Sequence, residues 1–337
     1  MHQLPIEPAK ETGQSATRRH MVLVDTDIGD DIDDALALAL IANSPEIDLR
    51  GVTTVFGDTP LRARLAAHLL RVFERPNIPI AAGLGTPLQP RRRPSGVPQA
   101  TILNEREPYA LSPKSAPELI IETVMAHPGQ VTLLCLGPLT NVATALQTEH
   151  HLFMTIRNII IMGGTSGIPW AEWNVRNDPR AAQIVLAAGA PVTLIGMNVT
   201  LQCHLRAEDI ACMRAQRSAR TDLLSDLIAI WQRHRPRWQP ELPYLHDPLT
   251  VVALCAPELL RFEEITVRVP TYGPFKGFMV PRLMNGPLVQ AATSVRAAAA
   301  RAWIMQRLLA EGHAQTAPSP PSHILPAHLL NDAREQG

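Results

Sequence analysis

Six aspartates fall within ten positions of one another, Asp25, Asp27, Asp30, Asp31, Asp33 and Asp34, in the stretch VDTDIGDDIDDALALAL at residues 24–40. Carboxylates this close repel and raise one another's pKa unless a cation compensates. An all-oxygen loop without histidine or cysteine suits a hard divalent ion, Ca²⁺ or Mg²⁺, rather than zinc. Its register is not the D-x-D-x-D-G of an EF-hand loop. The plainer alternative is that Asp33 or Asp34 caps the helix that follows, where free N–H groups and the dipole favour carboxylates. Capping accounts for one or two of the six.

A second acidic candidate is His246-Asp247-Pro248. Its plain reading is an N-cap aspartate with proline at the first helical position. Asn177-Asp178-Pro179 has the same grammar and serves as an internal control. Glu172 and Asn174, in AEWN, stand in a Gly-rich loop where isolated polar residues are ordinarily solvated.

These residues need elements to position them. Short apolar or β-branched runs appear at Met21–Val24, Leu49–Val55, Ile78–Ala81, Val131–Leu136, Asn158–Met162 and Val192–Gly196. Helical patterns separate them at Asp34–Ile41, Leu61–Phe73, Ala116–Met125, Thr140–Leu146 and Ala181–Ala187. Apolar strands alternating with helices imply a parallel sheet covered on both faces. From about Arg206 the pattern turns helical, then strand-like in EITVRVP and GFMVPRL, with a last helix near Ser294–Leu309. The expectation is an α/β fold: one open, mostly parallel, Rossmann-like sheet with added C-terminal helices. In such sheets ligands bind beyond the carboxyl ends of the strands, so the turns DTDIGDDIDD, FGDT, LGPLTN and MGGTSGIPWAEWN should converge on one edge.

Composition is consistent with a single globular domain. The chain has 337 residues, 46% hydrophobic, with zero formal net charge. That balance argues against an extended nucleic-acid surface, and the runs Arg91-Arg92-Arg93 and Arg233-His234-Arg235 read as solvated faces. Cys135, Cys203, Cys212 and Cys255 form no C-x-x-C pair and are expected to be reduced, buried thiols. No run approaches the ~18 apolar residues of a membrane span, and no signal-peptide core opens the chain. The expected location is cytoplasmic. Residues 1–19 read as a polar arm, 20–312 as the domain and 313–337 as a Pro-rich tail.

Taken in order, DTDIGDDIDDALAL, GVTTVFGDT, PIAAG, VTLLCLGPLTNVA, IIIMGG with AEWN, and HDPLTVVAL resemble the inosine-uridine-preferring nucleoside hydrolase family. The likeness runs from about residue 21 to 311. It implies a Rossmann-like domain, a tightly bound Ca²⁺ at the carboxyl edge, and hydrolysis of the N-glycosidic bond of ribonucleosides. It further implies a homodimer or homotetramer, with a small-molecule ribonucleoside as partner and neither nucleic acid nor membrane. Carried over by position, Asp27, Asp34 and Asp247 look like metal carboxylates, and Leu136 offers a backbone carbonyl. Asp33 looks like the general base, Glu172 and Asn174 like ribose-hydroxyl ligands, and His246 like a leaving-group acid of near-neutral pKa. Asp58 stands where the family often has Asn near the ribose.

The departures are specific. The first loop is two residues longer than usual, with Ile28 where Pro is common, so Asp31 is an alternative to Asp33 as base. The MGGTSGIPW loop is short, and PLQPRRRPSGVPQ lacks a His-Gly segment. The base contacts are expected within RHRPRWQPELPYL, where Arg237, Trp238 and Tyr244 are available. Two rival readings stand beside this one. Asp25-Thr26-Asp27 imitates the start of a haloacid-dehalogenase-type phosphatase, although Gly29 and the lysine positions do not suit it. A non-catalytic, metal-dependent sugar- or nucleoside-binding protein is the other.

Overall fold

The computed structural model describes residues 19–89, 96–104, 106–237 and 239–310. The arm and tail expected at the termini, apart from Arg19, lie outside the described residues, as do Arg91-Arg92-Arg93 and Trp238.

The chain begins with strand β1 (His20–Thr26), helix α1 (Asp33–Asn43), β2 (Ile47–Thr54), α2 (Thr59–Val72) and β3 (Ile80–Ala82). A 3-10 turn over Pro98–Ile102 precedes α3 (Ala116–Ala126), β4 (Val131–Cys135), α4 (Thr140–Thr148) and α5 (Leu152–Thr155). Next come β5 (Asn158–Met162), α6 (Trp173–Asn177), α7 (Pro179–Ala187), β6 (Val192–Ile195) and α8 (Met197–Thr200). Helices α9 (Ala207–Gln216), α10 (Ala219–His234) and α11 (Pro248–Cys255) form the helical region. Strands β7 (Leu260–Arg268), β8 (Val280–Pro281) and β9 (Leu288–Val295) lead to α12 (Ala297–Leu308).

Among the described residues, nine strands form one sheet in the order β3-β2-β1-β4-β5-β6-β9-β7-β8. Neighbours from β3 to β9 run parallel, and β7 is antiparallel to both β9 and β8. The α/β expectation therefore holds, with one omission. The sequence pattern marks no strand at Leu288–Val295 and starts the last helix near Ser294, whereas α12 begins at Ala297. Burial along β9 alternates, with Val289 and Ala291 inward, and pairing on both edges fixes it as a strand. GFMVPRL yields only the short edge strand β8, where its proline is tolerated.

Two apolar layers cover the sheet. Val22 and Val24 face one layer with α1, α2, α10, α11 and α12, while Leu23 faces the other with α3, α4 and α7. Helix α1 is buried from Asp33 to Ala42 on every side, which explains a run as uniformly apolar as ALALALIA. Truncating Leu36 there to Ala would cost about 2–5 kcal/mol. The thiol expectation needs one correction: Cys135 and Cys203 are buried and Cys255 is half-buried, but Cys212 is exposed on the outer face of α9.

From β1 the chain moves outward to β2 and β3, then returns to place β4 on the opposite side of β1. This is the topological switch point, where a crevice opens beyond the carboxyl ends of β1 and β4. The aspartate loop and Leu136 follow these two strands.

Candidate active site

The end of β1 divides the aspartates, Asp25 lying within the strand and Asp27 beyond it. Asp25 turns into the sheet, where its Oδ1 accepts from Thr53 Oγ1 at 2.6 Å and Asn141 Nδ2 at 2.7 Å. Burial pushes it up to about 7. Asn141, from GPLTN, also donates to the Thr54 carbonyl and accepts from Leu84 N–H, so this motif residue ties three segments together. Asp27, two residues on, enters the loop. It crowds Gly137 so closely that a Cβ there would lie 2.7 Å from its Oδ1.

The capping reading of this loop does not hold. The N-cap of α1 is Ile32, without any side-chain cap bond, and Asp33 and Asp34 occupy the first helical turn. The Thr26 hydroxyl donates to Asp34. Asp31, the alternative base, accepts from Ile32 N–H at 2.8 Å. Asp30 turns away to Arg62.

Asp247 arrives from the far end of the chain, at the start of α11. Its carboxylate also leaves its own helix uncapped. It meets Asp33 and Asp34, with one oxygen from each of the three within 4.8 Å of the others. The Asp247 N–H points to Asp33 Oδ2 at 3.4 Å. All three residues are buried, as is Asp27. Burial, followed by mutual repulsion, pushes Asp27, Asp33 and Asp247 well above the carboxylate range, and burial pushes Asp34 up to about 7. Converging buried carboxylates with few donors fit a hard divalent cation, which would remove both penalties at once.

The remaining candidates border this cluster in different ways. The Leu136 carbonyl accepts from Asn174 Nδ2 at 2.6 Å, and the same amide reaches the Met162 carbonyl at 3.2 Å. Glu172 caps α6: its Oε1 accepts from Asn174 N–H at 2.8 Å, and its Oε2 accepts from Val175 and Gly164 N–H, each at 3.1 Å. Asp58 is an exposed N-cap of α2, with Oδ1 on Leu61 N–H at 3.1 Å. His246 Nδ1 lies 2.7 Å from Thr200 Oγ1, and its ring stands 5.3 Å from that of Tyr244. Burial pushes the imidazole down to about 4, below the near-neutral value expected. A neutral imidazole there can serve as a hydrogen-bond donor or acceptor.

The residue passed over in the sequence is Arg62. It is 1% exposed and holds the aspartate loop from beneath. One signal was available: with Ala66 and Leu69 it lies on the buried stripe of α2, where a basic residue needs a reason.

Comparison with known proteins matches residues 22–303 to the family model described as inosine-uridine preferring nucleoside hydrolase. The chain belongs to that family. Similar nucleoside hydrolases include a probable uridine nucleosidase 2 from Arabidopsis thaliana, 33% identical, covering 86% of this chain and 98% of that one. A pyrimidine-specific ribonucleoside hydrolase from Salmonella paratyphi A is also 33% identical, covering 75% and 85%. Among solved structures, a plant nucleoside hydrolase superposes with TM-score 0.78 at 28% identity, covering 87% of this chain and 99% of that chain. A purine-preferring ribonucleoside hydrolase from Gardnerella vaginalis gives 0.77 at 27%, covering 86% and 98%. Family membership makes the chain an N-glycosyl hydrolase and removes the phosphatase and non-catalytic readings. Among the described residues, no helix is long and apolar enough to cross a membrane.

Proposed function

We propose that this nucleoside hydrolase cleaves the N-glycosidic bond of ribonucleosides to free base and ribose, with Ca²⁺ held by Asp27, Asp34, Asp247 and the Leu136 carbonyl. The observation that carries the reading is the convergence of Asp33 and Asp34 with Asp247, some two hundred residues distant, beyond β1. Ca²⁺ suits a buried site better than Mg²⁺, because it accepts six to eight oxygen ligands in flexible geometry and dehydrates more readily. When bound, the cation supplies Lewis acidity toward water and the ribose diol.

Asp33 takes the proton of the attacking water while the ribosyl C–N bond breaks and positive charge grows on the sugar. A carboxylate has about four lone-pair sites, and Glu172 uses three on backbone N–H groups. Glu172, with its carboxylate held by these N–H groups, the Asn174 side-chain carbonyl and Asp58 Oδ2 are the groups offered to ribose hydroxyls. In the tautomer whose Nδ1 accepts from the Thr200 hydroxyl, His246 Nε2–H is left to donate to the departing base as its electron pair develops. One observation favours a second arrangement. The compact trio contains Asp33 and not Asp27, so Asp33 is placed like a ligand and Asp27 is the neighbouring carboxylate left to take the proton. The relatives' names span pyrimidine and purine preferences, so the reading stops at ribonucleosides and does not extend to one base.

The test is ribose release from a purine and pyrimidine nucleoside panel, before and after prolonged chelation. Release should stop on chelation and return with Ca²⁺. Turnover that survives chelation, or full turnover by Asp34→Ala, would remove the metal from the reading. A panel without any cleaved nucleoside would remove the substrate class.

A further inference from the structure

The aspartate loop rests on a buried cationic side chain from α2. Arg62 sits near the start of α2 with its guanidinium beneath the loop, 1% exposed. Nη2 pairs with Asp30 Oδ2 at 2.7 Å. Nη1 donates to the carbonyls of Ile28, at 2.8 Å, and Asp27. Nε donates to the carbonyl of Phe56 at 2.7 Å. Phe56 is a non-glycine residue at φ 66°, in the turn after β2. One side chain therefore fastens the loop after β1 to the turn after β2.

Two effects of this arginine oppose each other. Its charge repels any cation bound by Asp27 and Asp34, which would weaken metal binding. Its planar fork holds the loop that carries those carboxylates, which would strengthen binding by preorganisation. Burying a guanidinium also carries a desolvation cost that an apolar residue would avoid. Nothing obliges this site to contain a charge unless the fork is needed. The extra length of the loop points the same way: Asp30 is spent on Arg62, and Gln99 Nε2 holds the Asp31 carbonyl at 2.6 Å.

We propose that Arg62 is a positioning residue for the cation site, keeping the Asp27–Asp34 loop in ligand geometry before the metal arrives, with Asp30 as its anchor. The proposal rests on the metal reading above. Both are tested by titrating chelator-stripped protein with Ca²⁺ in a calorimeter, alongside the melting temperature of the calcium-free form. Arg62→Lys keeps the charge and loses the fork; its Kd should rise about tenfold or more, the usual cost of removing a residue that orients metal ligands. Arg62→Met should also bind more weakly, although it relieves the repulsion. Asp30→Asn removes charge from one hydrogen bond and should weaken binding about threefold.

A wild-type Kd in Arg62→Lys, or tighter binding in Arg62→Met, would overturn the proposal. A purely structural arginine would lower the calcium-free melting temperature and leave Kd where it was. If the Arg62 variants do not fold, Asp30→Asn decides, and an unchanged Kd there overturns the proposal. Absence of Ca²⁺ binding by the wild-type protein would overturn the metal reading itself, an outcome distinct from binding that is indifferent to Arg62.

Discussion

Asn177-Asp178-Pro179 and His246-Asp247-Pro248 are nearly the same tripeptide at the start of nearly the same kind of helix, yet they do opposite things. Asp178 has φ −139° and ψ 77°, and its carboxylate folds back to accept from Ala181 N–H at 3.1 Å. It also accepts from Leu88 N–H at 2.7 Å, Gln89 N–H at 3.3 Å and Thr140 Oγ1 at 2.7 Å. Asp247 has φ −69° and ψ −41°, already helical, so its side chain cannot return to its own N–H groups. N-capping needs an extended backbone at the cap residue. Released from that task, the Asp247 carboxylate is delivered to Asp33 and Asp34 instead. One aspartate is surrounded by donors and is scaffold. The other is surrounded by carboxylates and calls for a cation.

Substitutions at the two tripeptides can break this contrast. Asp247→Asn should have the largest effect: kcat/KM should fall about a thousandfold, near 4 kcal/mol of transition-state stabilisation. Its calcium-free melting temperature should hold or rise, because a repelled buried charge is gone. A calcium-free form that melts earlier would make Asp247 a stability residue like its counterpart.

Asp178→Ala should show the reverse. Losing a cap and three further hydrogen bonds should cost about 3 kcal/mol of stability, read by denaturant unfolding. Its Kd for Ca²⁺ should stay within about twofold of wild type. A large change there would merge the two sites.

The residues before each aspartate sharpen the contrast further. His246→Ala should slow inosine cleavage about a hundredfold, while leaving a p-nitrophenyl riboside, whose leaving group departs without a proton, nearly untouched. Equal losses on both substrates would assign His246 to positioning, and a normal rate on inosine would remove it from the reaction. Thr200→Val should have the smallest effect, about 1 kcal/mol or fivefold on inosine, since it removes one hydrogen bond from Nδ1.

Much of the fold was legible because local pattern and final environment agree. Asn158–Met162 is bounded in the structure as its apolar run suggests, and α1, α3, α4 and α7 fall close to their apolar periods. Strand β9 was not, since LVQAATSV favours no single state and only its pairing with β6 and β7 selects one. The candidate site divides in the same way. Asp27, Asp33 and Asp34 announce themselves by crowding, because a chain rarely tolerates six aspartates in ten residues without a purpose. Asp247 could not be separated from Asp178, since the difference lies in one pair of backbone angles. Arg62 was hidden because its four acceptors come from two loops, three of them main-chain carbonyls that any residue supplies.

By itself, then, the sequence determined the α/β alternation, the loops that gather at one sheet edge and the need for a cation among the aspartates. Periodicity and charge density are properties of neighbouring residues, and they survive in one dimension. The tertiary structure decided which aspartates face one another, which one is spent on an arginine, and that His246 packs against Thr200, where burial lowers its pKa. Those outcomes depend on burial and on contacts between residues as far apart as 33 and 247, which only the folded sheet brings to the same edge.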